Sequence, residues 1–552
     1  MTPKHLWTGC FVSVLSLTLM ADFAQAQTIT AASPSIKSDV TMGEAARAAM
    51  TRGRLLMNTA DAALKQAATD AALLEDASRS APSELTPQDG GGDAKAPVIV
   101  GGHSFAGQSA TMSSPPASTG AIGPFSYIQT VNMSVTIYNR TTNAVIATGT
   151  LNQLADNAAT VDSFDAQINW DASTNRFYYV MDSVFSYPTN NKLAFGFSKT
   201  SNPANVTTDW CHYLYTPGDP ARFPYFPKLG DSLHFMIIGV NSFKPYIIPG
   251  GTFVGADLIA ISKPPAGTTC PTAATFKKAT RLSLKDTAGK NVFAPVPANQ
   301  IDSSSTGYVM ARNGTLPSNR LWFFSVTRNA TGFPVFGSPR GLNVPSYTIP
   351  PAASQPTFGQ LLDTLDARPT QAVQAVNPDR GTFSFWVQHT VKQDALNLAE
   401  VRWYEINPVP ALPVLLRSGK INNTKSHVYN AAISPDRRKD GATVAFGDSF
   451  VIQYNVSGRA SAISPRIVAG SSFNGGALSF ALIKNAVGPY RDFTCPNPGD
   501  VCRWGDHWGA APDPRPTTRG RGEVWITNQY SGLVNPPKST ANFRTWISAV
   551  QP

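Results

Sequence analysis

From about Ala96 to the C-terminus the chain is written in short runs of period two, broken by turns. Ser126 to Thr130, Ser134 to Tyr138, Arg176 to Met181, Leu321 to Val326 and Val524 to Thr527 are examples. No long helical period interrupts them, so about 455 residues must bury their apolar surface sheet on sheet, too many for one sandwich. Composition agrees: the 552 residues include 42 Gly and 44 Pro, and only 14% are charged, the profile of a turn-rich β protein.

An internal repeat resolves the size problem. One unit recurs in outline: a polar or aromatic entry, a small apolar strand, a turn carrying Asp, Asn or Gly, then an aromatic-rich strand. The clearest copy runs from Asp165 to Asp171, turns over Ala172 to Asn175 and continues from Arg176 to Val180. Others begin at Pro227, Arg368, Tyr429 and Arg503, with room for one near Gln300 to Met310 and one over Ser126 to Thr150. Units of roughly 60 to 75 residues exceed the about 40–45 of a WD-type blade, so blades with long loops are expected. Such sheets stack radially because neither face of a blade is covered without neighbours on both sides. The expected fold is all-β, a β-propeller over 96–552, with seven blades the best count and six or eight the alternatives.

The N-terminal residues read differently. Lys4 and His5, an apolar run from Phe11 to Met20 and Ala24-Gln25-Ala26 have the order of a signal peptide spanning 1–26, with the mature chain beginning near Gln27. The apolar run is too short to span a bilayer and no later segment comes close, so a soluble secreted or periplasmic protein is expected. Cys10 lies inside the run, which argues against a lipid anchor. From Val40 to Asp76, Ala45, Ala49, Leu56, Ala60, Ala63, Leu64, Ala67 and Leu74 recur at helical spacing, interrupted at Gly53. Ser78 to Asp93, ending in Gly90-Gly91-Gly92, reads as a linker. Residues 27–95 are therefore expected to be a helical arm and linker, either docked on the main domain or free for a partner.

Four cysteines remain after the leader. Cys495 and Cys502 bracket a Pro/Gly loop short enough to close locally, and Cys211 with Cys270 is the natural second pair. The rival zinc site lacks Cys/His clusters, since His212 is isolated and no histidine lies near Cys270. The net charge of +10 fits an acidic glycan, a nucleic acid or an anionic surface. Its basic residues are scattered, with no run beyond Arg437-Arg438-Lys439, so a solvated surface is the expectation and nucleic acid is not.

Several stretches resemble a family of secreted bacterial β-propeller proteins, sialidase-superfamily-like in architecture and largely without assigned activity. They are Gly123 to Asn132 with Val135 to Asn139, Leu193 to Asn202 before Trp210, Phe226 to Gly230, Val401 to Ile406, Gly488-Pro489-Tyr490, and Arg503 to Asp506 followed by Asp513-Pro514 and Trp525 to Tyr530. The resemblance covers roughly Ala121 to Ile547 and implies fold more than function. Asp-box turns are only echoed, by Asn377 to Gly381 before Trp386 and by Ser434-Pro435-Asp436. The arginine triad, tyrosine and acid of a sialidase site have no counterparts, so that activity is not implied.

If the repeats are blades, their entry residues converge on one mouth of the channel. That gives Asp165, Lys228, Arg368, Gln371, Tyr429, Asn430, Arg503, Asp506 and His507 as a ring able to bind a polar or anionic ligand, with Arg368 and Arg503 fit to clamp a carboxylate. The same charges equally serve to hold neighbouring blades together, since a buried charge must be paired. Trp504, Trp508 and Trp525 are candidates for stacking on a sugar or for filling the wedges between blades. Asp165 with Asp506 has the makings of a glycosidase pair, for which a separation of about 5 Å or about 6.5–9.5 Å sets the stereochemistry. His389, His427 or His507 with Tyr429 and an arginine has the makings of a uronate lyase. No phosphate loop, nucleophile elbow or zincin helix is present; no cofactor or metal is expected, and calcium has no diagnostic spacing. Two readings remain open: a monomeric propeller that recognises a polysaccharide or cell-surface protein, and a polysaccharide-active hydrolase or lyase.

Overall fold

The computed structural model describes residues 27–31, 59–78, 96–110, 113–186, 190–219, 222–244, 251–265, 268–357, 359–438, 446–515 and 521–552. The expected leader, the first part of the helical arm and the expected linker lie outside them. The described residues form an all-β protein in which antiparallel units succeed one another along the chain.

Each unit opens with an inner strand: β1 (Thr119–Ile122), β2 (Asp162–Asp171), β3 (Phe223–Asp231), β4 (Val292–Gln300), β5 (Pro369–Asn377), β6 (His427–Pro435) and β7 (Gly509–Pro512). From each inner strand the sheet grows outward by antiparallel neighbours, as in Asp162–Asp171, Arg176–Ser186, Asn190–Ser198 and Trp210–Thr216. Consecutive inner strands touch, and β7 touches β1, so the contacts run in a closed ring. β4 and β5 go further and pair in parallel over Ala298–Gln300 and Ala372–Gln374. The last unit takes its outermost strand from the other end of the chain, Val98–Ser109 against Phe543–Gln551.

The core is a series of wedges between neighbouring units. Ile128, Ile137, Ile168, Phe177 and Trp210 fill one, and Tyr127, Tyr138, Trp525 and Ile547 fill the wedge between the last unit and the first. Because both faces of each sheet are covered, inner and second strands are buried along their length, and Phe235 to Ser242 is a continuous buried run instead of an alternating one. Apolar burial on both faces is the main stabilising term, about 1.5–3 kcal/mol per large side chain.

Inner strands share an entry device. Ala117, Asp165, Phe226, Ala294, Ala367, Asn430 and Gly505 all have left-handed backbone just at or before the inner strand, and a register shift accompanies most of them. Six of these are not glycine, a strain of about 1–3 kcal/mol each that the surroundings must hold. The preceding unit does so by accepting the freed N–H: Asp165 N donates to Asn132 Oδ1 at 2.8 Å, Phe226 N to Asp182 Oδ2 at 3.3 Å, Ala294 N to Asn241 Oδ1 at 2.8 Å and Asn430 N to Thr390 Oγ1 at 3.0 Å.

Two N-terminal elements dock on this frame. Thr28–Ala31, within the residues read as arm and linker, pairs with Tyr213–Thr216 as a fifth strand of its sheet. Helix α1 (Thr59–Ser78) lies on the entry side, and its buried residues are Asp61, Lys65, Thr69, Ala72 and Asp76. The apolar stripe seen in the sequence faces elsewhere: Ala60, Ala63 and Ala67 are exposed and Leu74 is 79% exposed. The docked face is instead the polar one, because the surface beneath the helix is charged. Disulfides join Cys211 to Cys270 and Cys495 to Cys502, which fits an extracellular or periplasmic protein. No helix among the described residues is long and apolar enough to cross a membrane.

Candidate functional site

The left-handed entry residues turn the side chains after them toward the ring's centre. Lys228 follows Phe226 by two residues, Gln167 follows Asp165 by two and His507 follows Gly505 by two. These three meet: His507 Nδ1 accepts from Lys228 Nζ at 3.0 Å and from Gln167 Nε2 at 2.9 Å. Its ring stacks on Phe226 at 4.5 Å and 16°. Two donors on Nδ1 fix the neutral tautomer with its proton on Nε2. Burial, then Lys228 and Arg368, hold the imidazole well below its usual range. Nε2–H is buried and has no partner among the described residues, so His507 can offer a proton in a hydrogen bond but cannot act as a base there.

Around this triad sits a network of acids and cations. Arg368 is held in two-point fashion by Asp366, Nε to Oδ1 at 2.7 Å and Nη2 to Oδ2 at 2.8 Å. Arg503 binds Asp363 at 2.8 Å and also Asp506. Behind them Arg312 pairs with Asp61 of α1 and lies 3.7 Å from Asp366. Lys65 of α1 donates to Thr364 Oγ1 at 2.5 Å and to the Leu365 carbonyl at 2.6 Å. All of these groups are buried.

Burial dominates their protonation. It raises the Asp165 carboxyl to about 7, with Asp506 adding to the rise, and it raises Asp506 itself against the pull of Arg503. Asp182 is pushed well above the usual carboxylate range by burial and then by Asp165, while burial carries Lys228 well below the usual lysine range. Burial would also raise Asp366, but the Arg368 guanidinium outweighs it and the carboxyl is held below its ordinary value. Neighbouring buried groups shifted in this way mark a candidate site.

Of the ring expected from sequence, Asp165, Lys228, Arg368, Arg503, Asp506 and His507 come together here. Gln371 lies at the edge, its amide donating to the Ala510 carbonyl. Asn430 is an inter-unit tie, its Nδ2 donating to the carbonyls of Asp363 at 3.2 Å and Trp504 at 2.7 Å. Tyr429 points into a different core cluster and bonds Ser457 at 2.9 Å. Trp504, Trp508 and Trp525 are all buried; Trp504 donates to Asn455 at 3.1 Å and Trp525 to Asp513 at 3.0 Å, so they fill wedges. His389 is enclosed between the Ala367 carbonyl and Tyr404, and burial lowers its pKa to about 3; His427 Nδ1 accepts from Ala399 N. Sequence reasoning missed Asp363, Asp366, Arg312, Asp61 and Lys65. The available signal was Asp363-x-x-Asp366-x-Arg368, two acids placed just ahead of a singled-out cation. Among the described residues no three His, Cys, Asp or Glu side chains gather as a metal site.

No family model matches the chain, and no curated protein matches it. Solved structures similar to it include an exo-β-1,3-galactanase from Clostridium thermocellum, at 11% identity over 82% of this chain and 96% of that chain, TM-score 0.31. Extracellular domains 1-2 of Drosophila Semaphorin 1b are similar at 8% identity over 82% and 87%, TM-score 0.33. The WD40 domain of SCAP from fission yeast is similar at 8% over 79% and 82%, TM-score 0.28. Scores and identities this low assign neither ligand nor activity to this chain.

Proposed function

We propose that the chain is an exported seven-bladed β-propeller, residues 96–552, carrying an N-terminal arm over 27–95, and that its entry-side cluster binds a polar ligand, a neutral glycan foremost. The observation that carries this is the buried convergence of Asp165, Lys228, Arg503, Asp506 and His507 with Asp506 Oδ1, Arg503 Nε and His507 Nε2 left without partners among the described residues. Unmet donors and an unmet acceptor within one buried cluster are what a hydroxylated ligand satisfies, and leaving them unmet costs about 1–3 kcal/mol each. Charge balance selects a neutral ligand over an anionic one. Arg368 and Arg503, the expected carboxylate clamps, are both committed to acids, and Lys65 and Arg312 likewise face Asp363 and Asp61.

A second reading, glycoside hydrolysis, is favoured by one feature: two carboxyl groups, Asp165 raised to about 7 and Asp506 also raised, act on each other within one buried cluster, and a glycosidase uses a carboxyl pair. Lyase chemistry is not favoured, since His507 lacks a free basic nitrogen and neither arginine is free to hold a uronate.

The test is a glycan array and a polysaccharide turnover screen on the mature protein beside Asp506→Asn and His507→Gln, with melting curves to confirm folding. Binding of neutral glycans that both variants lose supports recognition at the mouth, and release of sugars lost in Asp506→Asn converts it to hydrolysis. Binding unaffected by either variant, or none in the wild type, refutes the site.

A further inference from the structure

A second candidate site lies at the opposite ends of the inner strands. β2 and β3 carry Asp165 and Lys228 at their entries and finish at Asp171 and Asp231, where Lys263 bridges the two acids at 2.8 and 2.6 Å. Beside this bridge a cavity of about 410 Å³ opens, lined by Lys263, Lys277, Arg328 and His234 together with Leu233, Pro264 and Pro265. Its size falls in the range of small-molecule pockets. One wall is anchored by a disulfide, since Cys270 lies between Lys263 and Lys277 and is tied to Cys211.

Two cations meet at one glycine on its rim. A Cβ on Gly332, where φ is +89°, would stand 2.8 Å from Lys277 Nζ and 3.3 Å from Arg328 Nη2. Gly332 suits this left-handed turn, which strains other residues, and leaves open the point that both charges approach. Lys277 donates to the Thr331 carbonyl and sits over Phe333; among the described residues no acid pairs with it or with Arg328. Asp171 and Asp231, which pair with the lining residue Lys263, are thereby already bound. Lys277 is half-buried and Arg328 exposed, so both cations stay open to a ligand, and an oxyanion between them would take a charge-assisted contact from each. His234 reports the same positive field: after burial, Arg328 and Lys263 are what lower its pKa.

We propose that this cavity binds an oxyanion-bearing sugar, a carboxylate or sulfate ester seated between Lys277 and Arg328, with its ring against Leu233, Pro264 and Pro265 and its hydroxyls toward Ser173, Thr174 and Ser262. The site is separate from the entry-side cluster and does not depend on that cluster's function.

Calorimetric titration tests it with D-glucuronate, D-glucose 6-sulfate, D-glucose and inorganic sulfate, on the full mature protein, Lys277→Ala/Arg328→Ala and, as a control for loss of a surface charge, Lys285→Ala. Both anionic sugars are expected to bind the wild type, more weakly as salt rises. Loss of two charge-assisted contacts should weaken them at least about tenfold in the double variant, and Lys285→Ala, which removes an exposed cation outside the cavity, should bind like the wild type. Glucuronate against the sulfate ester decides which oxyanion is preferred and supports the site either way. Equal binding of glucose, inorganic sulfate binding as well as the sugars, binding that survives the double variant, or no wild-type binding of either anionic sugar would each overturn the proposal.

Discussion

Removing the Asp61 carboxylate should free helix α1 without unfolding the ring. Asp61 and Arg312 are 1% and 0% exposed, and Arg312 has no other carboxylate closer than Asp366 at 3.7 Å. Truncating one partner of a buried pair costs about 3–5 kcal/mol, because the other charge is stranded. Here the stranded charge has an escape: if α1 lifts, water reaches Arg312 and the cost ends. The loss is therefore capped at the docking free energy of the helix, held besides by Lys65 on Thr364 and Leu365, Thr69 on Ala352 at 3.0 Å and Glu75 on Asn397 at 2.9 Å. Burial raises the Asp61 pKa and lowers that of Lys65 to about 8, so both charges dock at a cost that offsets part of these contacts. Hydrogen exchange read by mass spectrometry should show Asp61→Ala speeding exchange in 59–78 by about 100-fold or more, with β4 and β5 unchanged. Asp61→Asn, which keeps an acceptor for Arg312 though not the counter-charge, should have a smaller effect. Equal acceleration in α1 and the inner strands, or none in α1, would refute this account.

Three further outcomes are expected. Asp436 is raised by burial to about 7, so its stabilising contribution is full below about pH 3.8 and lost as pH rises through 7; Asp436→Asn should shrink the drop in melting temperature between pH 5 and pH 8. Asn241→Ala leaves the Ala294 N–H buried without its acceptor and should cost about 1–3 kcal/mol in denaturant unfolding. Opening the Cys211–Cys270 loop of sequence separation 59 by a double Ser substitution should cost about 4 kcal/mol, against about 2.5 kcal/mol for Cys495–Cys502 at separation 7.

The repeat was legible because its strands carry aromatic runs and Asn/Asp/Gly turns that local chemistry dictates, as at Asp165 to Val180. The copy near Gln300 was read late: its inner strand begins at Val292, and Val292 to Pro297 has neither charge nor aromatic pair to mark an entry beyond Phe293. Entry residues were legible as a class, and the six that meet were chosen on that ground alone. Tyr429 was not separable from them, because it precedes the left-handed residue Asn430, and a one-position difference at a bulge sends a side chain into the wedge instead of toward the ring's centre. Arg312 and Asp61 were invisible for another reason. They are 251 residues apart, and nothing local to either announces a partner that only tertiary docking supplies.

The entry bulge joins fold and site in one feature. Phe226 shows how: its left-handed backbone frees an N–H that Asp182 of the preceding unit accepts, which ties unit to unit, and the same turn brings Lys228 to His507 across the ring. Relaxing the bulge would cost both the tie and the convergence, so strain at this position is held for two purposes at once. That coupling also bounds what sequence change can do there. The acceptor on the preceding unit cannot be lost without loosening the ring. Asp182 makes the point sharply, since its carboxyl is pushed well above the usual range and serves as a neutral acceptor. Asp182→Asn should therefore keep the tie and leave folding near that of the wild type, while Asp182→Leu should loosen the wedge between β2 and β3, a contrast that comparative hydrogen exchange of those two strands would decide.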